Sequence, residues 1–299
     1  KYANSLKLRM AIRMRFVEPE QARKIGEQAV KDGVMTSNSD NLTIAYTPNG
    51  LYKTSVEWGD TRACADIETY MNGYHDPRVE KYFSAPATQG DRKIIGLRAG
   101  ANVGNKATAD AIYSAANVKQ SDRGIWMTAA EVTFCRAEGA LAGWSGMGGT
   151  AGELYNEAVT LSFEQWGAAG ASDYLDNGTY TQADYVNVDG GYGANATAQS
   201  TITVKWDDNA TPEQKLERLI TQKWIALYPN GQEAWCDLRR TGYPKVFEPA
   251  QSSAANISVA NRIPFDPQER IRNKTNYDKA VQMLGGADDY ATKMWWQKK

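Results

Sequence analysis

The chain has 299 residues, and its 34 Lys and Arg almost cancel its 35 Asp and Glu, for a net charge of −1. That length allows one large core or two modest ones, and the balanced charge gives no global field to hold nucleic acid phosphates or acidic lipid, which excludes a polyanion partner. No stretch approaches the ~20 apolar residues of a membrane span, and Cys64, Cys135 and Cys236, with no CxxC pair among them, offer neither a disulfide framework nor a zinc set.

Residues 1–17 read as a helix already under way, with Ala3, Leu6, Met10, Met14 and Val17 on its inward face and no capping residue before Lys1. The expectation is that an amino-terminal portion precedes this start. Pro19 suits the first position of a second helix, where its missing N–H would be unpaired anyway; Ala22, Ile25, Ala29 and Val30 face inward, and Asp32-Gly33 ends it. The two form an antiparallel hairpin. From 37 to 108 the periodicity fails, and a segment rich in Asn, Gly, Asp, Pro and aromatics reads as irregular, with a few short helices or strands. Loops of this length in a compact domain are usually functional.

Thr128 and Glu131 form a capping box that opens a helix running to Gly143. Thr150 and Glu153 open the next, with Leu154, Ala158, Leu161 and Trp166 on an apolar stripe and Gly167 as its end. Its Leu-Tyr-Asn-Glu-Ala run resembles a tetratricopeptide-type unit, which buries its apolar face only against neighbours. Residues 168–205, low in large aliphatics and containing Tyr174, Tyr180, Tyr185 and Tyr192, read as an exposed excursion. Thr211-Pro212 starts a strong helix through Leu216, Leu219, Ile220, Trp224 and Leu227; a short helix covers 232–240, another 276–284, and Met294-Trp295-Trp296 packs back on the body. The fold class is mainly α, a single domain over 1–299: tetratricopeptide-like helical hairpins at 1–36, 122–167, 211–240 and 267–296, packed with the irregular segments 37–108 and 168–205.

Catalytic chemistry finds little purchase. His75 is the only histidine, so no multi-histidine metal site exists, and within His75-Asp76-Pro77-Arg78 it reads as a turn residue. Asp207-Asp208 and Asp288-Asp289 look like cap and turn residues rather than metal ligands, and Gly190-Gly191-Tyr192-Gly193 lacks the strand and helix of a phosphate loop. Arg239-Arg240 either clamps an anion or ties its helix to neighbouring carboxylates and carbonyls. Neither a metal nor a cofactor is expected. The aromatic load, 9 Trp and 16 Tyr against 6 Phe, suits surfaces that are flat, apolar and hydrogen-bonding at once.

The motif Ile220-Thr-Gln-Lys-Trp-Ile-Ala-Leu-Tyr-Pro-Asn-Gly-Gln-Glu-Ala-Trp235 is followed by Asp237-Leu-Arg-Arg-Thr-Gly-Tyr-Pro244, Arg262-Ile-Pro-Phe-Asp-Pro-Gln-Glu269, Asn276-Tyr277 and Lys293-Met-Trp-Trp296. In order and spacing this resembles the tail of SusD/RagB-type proteins. Tyr2-Ala-Asn-Ser-Leu-Lys-Leu-Arg9, Met71-Asn-Gly-Tyr-His-Asp-Pro-Arg78 and Thr133-Phe-Cys-Arg-Ala-Glu138 resemble the family's earlier landmarks, so the likeness covers almost the whole chain. It implies a non-catalytic lipoprotein on the outer face of a Gram-negative outer membrane, anchored through an amino-terminal lipid that lies outside this chain. It also implies tetratricopeptide-type helices as scaffold, capture of an oligosaccharide or, in some members, a peptide, and a SusC-like TonB-dependent transporter as partner. The alternatives are a protein-interaction scaffold and, least favoured, a glycoside hydrolase, which needs two acids at catalytic separation. Ligand-stacking aromatics are expected on the irregular segments: Tyr52, Trp58 and Tyr74 first, Tyr46 and Tyr70 behind them, then Tyr180 and Tyr192.

Overall fold

The computed structural model describes residues 1–85, 92–188, 190–250 and 259–299. Helices α1 (Tyr2–Met14) and α2 (Pro19–Lys31) form the first hairpin, with Pro19 in the first turn and the left-handed Gly33 just past the end. The irregular region holds strand β1 (Leu42–Ile44), a π-helical stretch Tyr52–Glu57, and helices α3 (Ala65–Gly73), α4 (Val79–Tyr82) and α5 (Lys106–Ile112). Strand β2 (Gly124–Met127) pairs antiparallel with β1 through a bulge beside Leu42. Then follow α6 (Ala129–Leu141), α7 (Ala151–Trp166), α8 (Ala171–Leu175), α9 (Pro212–Ala226), α10 (Gly231–Thr241), α11 (Pro267–Arg272) and α12 (Lys274–Leu284).

Helix α6 is the hub. It packs on α1, α2, α7 and α9, and every residue from Ala129 to Gly139 is buried. A helix enclosed on all sides must satisfy its polar groups internally, and α6 carries Glu131, Arg136 and Glu138. Arg9 of α1 forks onto Glu131 at 2.6 and 2.8 Å. Arg240 of α10 grips Glu138 at 2.5 and 2.9 Å, and Arg15 adds a third bond at 2.6 Å. Asp237 then joins Arg240 to Lys223 of α9, which lies 2.7 Å away. Burial opposes the charge on Glu138, but the Arg240 and Arg15 guanidiniums outweigh it and hold the carboxyl below the usual range. Burial likewise opposes the charge on Asp237, and Lys223 and Arg240 together hold that carboxyl well down.

This network explains where periodicity misreads α1. The buried positions are Ser5, Leu8, Arg9, Ala11 and Ile12, while Ala3 and Met10 face solvent. A charged arginine belongs to the inward face because its partner is already inside. Glu131 is likewise drawn away from its cap: Thr128 accepts from the Glu131 amide at 3.1 Å, but the Glu131 side chain answers Arg9, so half of that capping box forms. The boxes at Thr150–Glu153 and Thr211–Gln214 are complete.

A second buried charge pins the turn after α3. Arg78 pairs with Asp76 at 2.6 Å, donates to Ser162 of α7 and Gln222 of α9, and lies 4.7 Å over the Phe163 ring. The segment 168–205 is not the exposed excursion its composition suggests. Tyr174, Tyr185, Ile202 and Val204 are buried, and the Tyr174 hydroxyl donates to Gln222 at 3.0 Å. Trp224 is half-buried, edge-on to Tyr70 at 5.7 Å. Cys135 is an enclosed thiol whose pKa burial pushes up to about 11. At the carboxy-terminal end α11 and α12 contain no buried residue. Arg239 tethers this region, with its guanidinium 3.6 Å from the Trp235 ring and 4.8 Å from Trp296; Trp295 is 70% exposed rather than packed back.

Glu138→Ala leaves Arg15 and Arg240 buried without their shared partner and is expected to cost about 3–5 kcal/mol in denaturant unfolding. Because Glu138 and Asp237 are held below their unfolded values, the stability they contribute is present above about pH 4 and lost as pH falls below it. Thermal melts should therefore be flat near neutrality and fall steeply in acid, and the E138A variant should show a shallower acid limb.

Candidate functional site

The β1–β2 pair, the turn before the π-helical stretch and the α9–α10 junction enclose an open cleft of about 1260 Å³. Its rim is aromatic. Trp126 is 52% exposed, and its indole N–H donates to the Tyr2 hydroxyl at 2.8 Å, which fixes the ring. Tyr46 is 45% exposed and lies against Gly124, where a Cβ would stand 2.4 Å from the ring. Only glycine leaves Tyr46 that seat. The floor holds Trp166 and Tyr228, each packed on the buried Tyr82; Tyr228 stacks on it at 4.5 Å, and its hydroxyl donates to the Tyr82 carbonyl at 3.1 Å. Burial raises the Tyr228 pKa, so the phenol stays protonated.

Polar groups frame these rings. Asn49 donates to the Asp122 carbonyl at 3.0 Å and accepts from the Leu51 amide at 2.9 Å, which rigidifies the turn. Glu233 meets Arg9 at 3.4 Å and also pairs with Arg13. The Trp166 Nε1 is buried with no acceptor among the described residues. Leu51 and the Tyr228–Gly231 stretch also line a second hollow of about 200 Å³, whose other walls mix Ile67, Phe83, Trp224 and Leu227 with Ser55, Thr61 and Arg62. Among the described residues no group of three or more His, Cys, Asp or Glu gathers to hold a metal. What the cleft offers is ring faces with donors beside them.

The residues expected from sequence fall in several places. Tyr46 lines the cleft. Tyr52 is half-buried in the π-helical stretch, and Trp58 is exposed just after it, with the Lys53 ammonium 5.6 Å from its ring; neither lines the cleft. Tyr70 and Tyr74 are corrected: both are core residues, one within α3 and the other capping its end, with hydroxyls donating to the Lys245 and Ile202 carbonyls at 2.8 Å each. Neither presents a ring to a ligand. Tyr180 is exposed elsewhere, stacked on His75 at 4.1 Å and 7°. Tyr192 is half-buried beside Tyr113, and its hydroxyl accepts from the Asn105 amide at 2.9 Å. The reading by composition missed Trp126, Trp166 and Tyr228. A signal existed for the first in Gly124-Ile125-Trp126-Met127, a short apolar run of strand character just ahead of a helix cap.

Comparison with known proteins gives a consistent picture. The family described as SusD-like, Susd and RagB outer membrane lipoprotein, matches residues 1–297. No curated protein matches. Among solved structures, a SusD homologue from Bacteroides thetaiotaomicron VPI-5482 is 38% identical, covers 100% of this chain and 65% of its own, and superposes with a TM-score of 0.93. A SusD homologue from Bacteroides uniformis ATCC 8492 is 42% identical, with coverage of 100% and 64% and a TM-score of 0.91. A chitin-binding SusD homologue from Flavobacterium johnsoniae is 40% identical, with coverage of 99% and 62% and a TM-score of 0.89. The chain thus spans less than two thirds of the length of each of these relatives.

Two substitutions test the placement of the aromatics. Gly124→Ala should displace Tyr46 and weaken ligand binding at the cleft as much as Tyr46→Ala does, and the double variant should lose no more than either alone. Tyr74→Ala, in contrast, should lower stability by about 3–5 kcal/mol in chemical denaturation.

Proposed function

The chain belongs to the SusD-like family of Susd and RagB outer membrane lipoproteins, and from that membership we propose that it captures an extended glycan in the cleft rimmed by Trp126 and Tyr46. Capture involves no chemistry, in keeping with a family of nutrient-binding, non-catalytic proteins. The glycan then passes to a SusC-like TonB-dependent transporter at the outer, extracellular face of the membrane. No helix among the described residues is long and apolar enough to cross a membrane.

The observation that carries this reading is the pair of large, exposed rings lining a cleft of about 1260 Å³, roomier than a single small molecule needs. An exposed indole held by a hydrogen bond at its polar tip keeps its face free, and a pyranose presents a flat array of C–H bonds that suits it. The Asn117, Asn230 and Gln232 amides that line the cleft match hydroxyl oxygens. A chitin-binding relative of similar identity supports a sugar over a peptide.

Titration calorimetry of the protein against neutral β- and α-linked oligosaccharides and against peptides tests this. Saturable glycan binding is expected, with intact ligand recovered after long incubation and about tenfold weaker binding in Trp126→Ala, roughly 1.4 kcal/mol. Binding of peptides alone, or release of shorter sugars, would overturn the proposal.

A further inference from the structure

Resting on that reading, we propose that Trp58 and a hollow beside it form an extension subsite, so that the glycan taken is a chain long enough to lie across the cleft and this hollow together. The hollow, of about 370 Å³, shares no lining residue with the cleft among the described residues. The two nevertheless adjoin. Thr54 lines the cleft, Asp60 lines the hollow, and the Asp60 amide donates to the Thr54 carbonyl at 2.8 Å. Between these two residues in the chain stands Trp58, 53% exposed.

A single exposed indole needs no explanation by itself; what sets Trp58 apart is how its backbone is held and what lies next to it. The stretch Tyr52–Glu57 is π-helical, a form that occurs mostly as single turns and frequently at functional sites. The Trp58 amide closes it on the Lys53 carbonyl at 2.9 Å. Four residues of helix, from Thr54 to Trp58, rise by at most about 6 Å, a step comparable with one sugar unit. Gly59 then turns the chain at φ 72°, where a Cβ would stand 2.5 Å from the Asp110 carboxylate, so only glycine fits under the ring. Polar groups with open surface follow. Asp60 and Lys106, both lining the hollow, pair with each other while each stays more than half exposed. On the other side of the indole the Lys53 ammonium, bound to Glu57 at 2.6 Å, lies 5.6 Å from the ring. An ammonium has three donors and a carboxylate about four acceptor sites, so one ion pair in water leaves most of them for hydroxyls. A ring face flanked by such donors and acceptors suits a sugar, with its flat C–H face and its hydroxyl edge, as the cleft does.

The test is titration calorimetry with tetramers and octamers of β-1,4-linked glucose, mannose and N-acetylglucosamine and of α-1,4-linked glucose. An octamer also offers a short site more registers, so the deciding quantity is the octamer-to-tetramer affinity ratio in a variant against the parent protein. Trp58→Ala is expected to cut that ratio by about tenfold, the size of one lost ring stack with its neighbouring hydrogen bonds. Trp58→Tyr should restore most of it, and neither change should lower the melting temperature, because the ring is exposed. Lys106→Ala should cut the ratio by a smaller factor, whereas Trp126→Ala should weaken both lengths and leave the ratio as it is. A ratio that survives Trp58→Ala, with Trp126→Ala weakening both lengths, would overturn the extension subsite and leave the capture reading standing. No binding of any series by the folded protein would overturn both.

Discussion

The fork of Arg240 and Arg15 on Glu138 is the constraint to which the scaffold answers. Helix α6 is enclosed on every side, and Glu138 is fully buried within it. The carboxylate is stable there only if cations from other elements come to it, and they come from the end of α1, from α10 and, through Asp237, from α9. Apolar packing alone would let these helices slide along one another. A charge that must be met at hydrogen-bond distance fixes both register and rotation.

The site inherits that rigidity. Arg9 reaches Glu131 within the hub and also meets Glu233 at the start of α10, so one guanidinium links the core to the cleft wall. The stretch Tyr228–Gly231, which lines both the cleft and the smaller hollow beside it, is the link between α9 and α10, and the network anchors both of those helices. On the opposite wall Tyr46 depends on Gly124 and Trp126 on Tyr2. The rings are seated before a ligand arrives, and little ordering entropy remains for binding to overcome.

Local signals in the sequence were read well because they depend on few residues. Pro19, the Thr150–Glu153 box, the Thr211-Pro212 start and the glycine stops mark helix ends in the chain as in the structure. Of the two readings of Arg239-Arg240, an anion clamp or a tie to neighbouring carboxylates and carbonyls, Arg240 proves to be the tie, binding Glu138 and Asp237. Long-range pairing was invisible. Nothing near Arg9 announces that its partner lies 122 residues away, so the inward face of α1 was misjudged by its apolar residues. The same limit governed the aromatics. Tyr70 and Tyr74 sit in a segment without clear periodicity, yet α3 places them on one inward face, whereas Trp126 lies beside a strong helix signal and looked like scaffold. Tyrosine is equally at home in a core and on a rim, and only the tertiary partner of its hydroxyl decides which.

Arg239 between Trp235 and Trp296 has a dynamic consequence. Because α11 and α12 contain no buried residue, little apolar contact resists their local opening, and their amides are expected to exchange sooner than those of the hub. The attachment of this end of the chain includes that cation between two indoles, Gln297 donating to the Arg239 carbonyl at 3.2 Å and to Asn261 at 2.9 Å, Trp235 donating to the Ala260 carbonyl at 2.9 Å, and Lys299 donating to the Thr241 carbonyl at 2.9 Å. The end of the chain is thus held by polar and cation–π contacts at its edges, whereas the cleft is held by the buried charges of the hub.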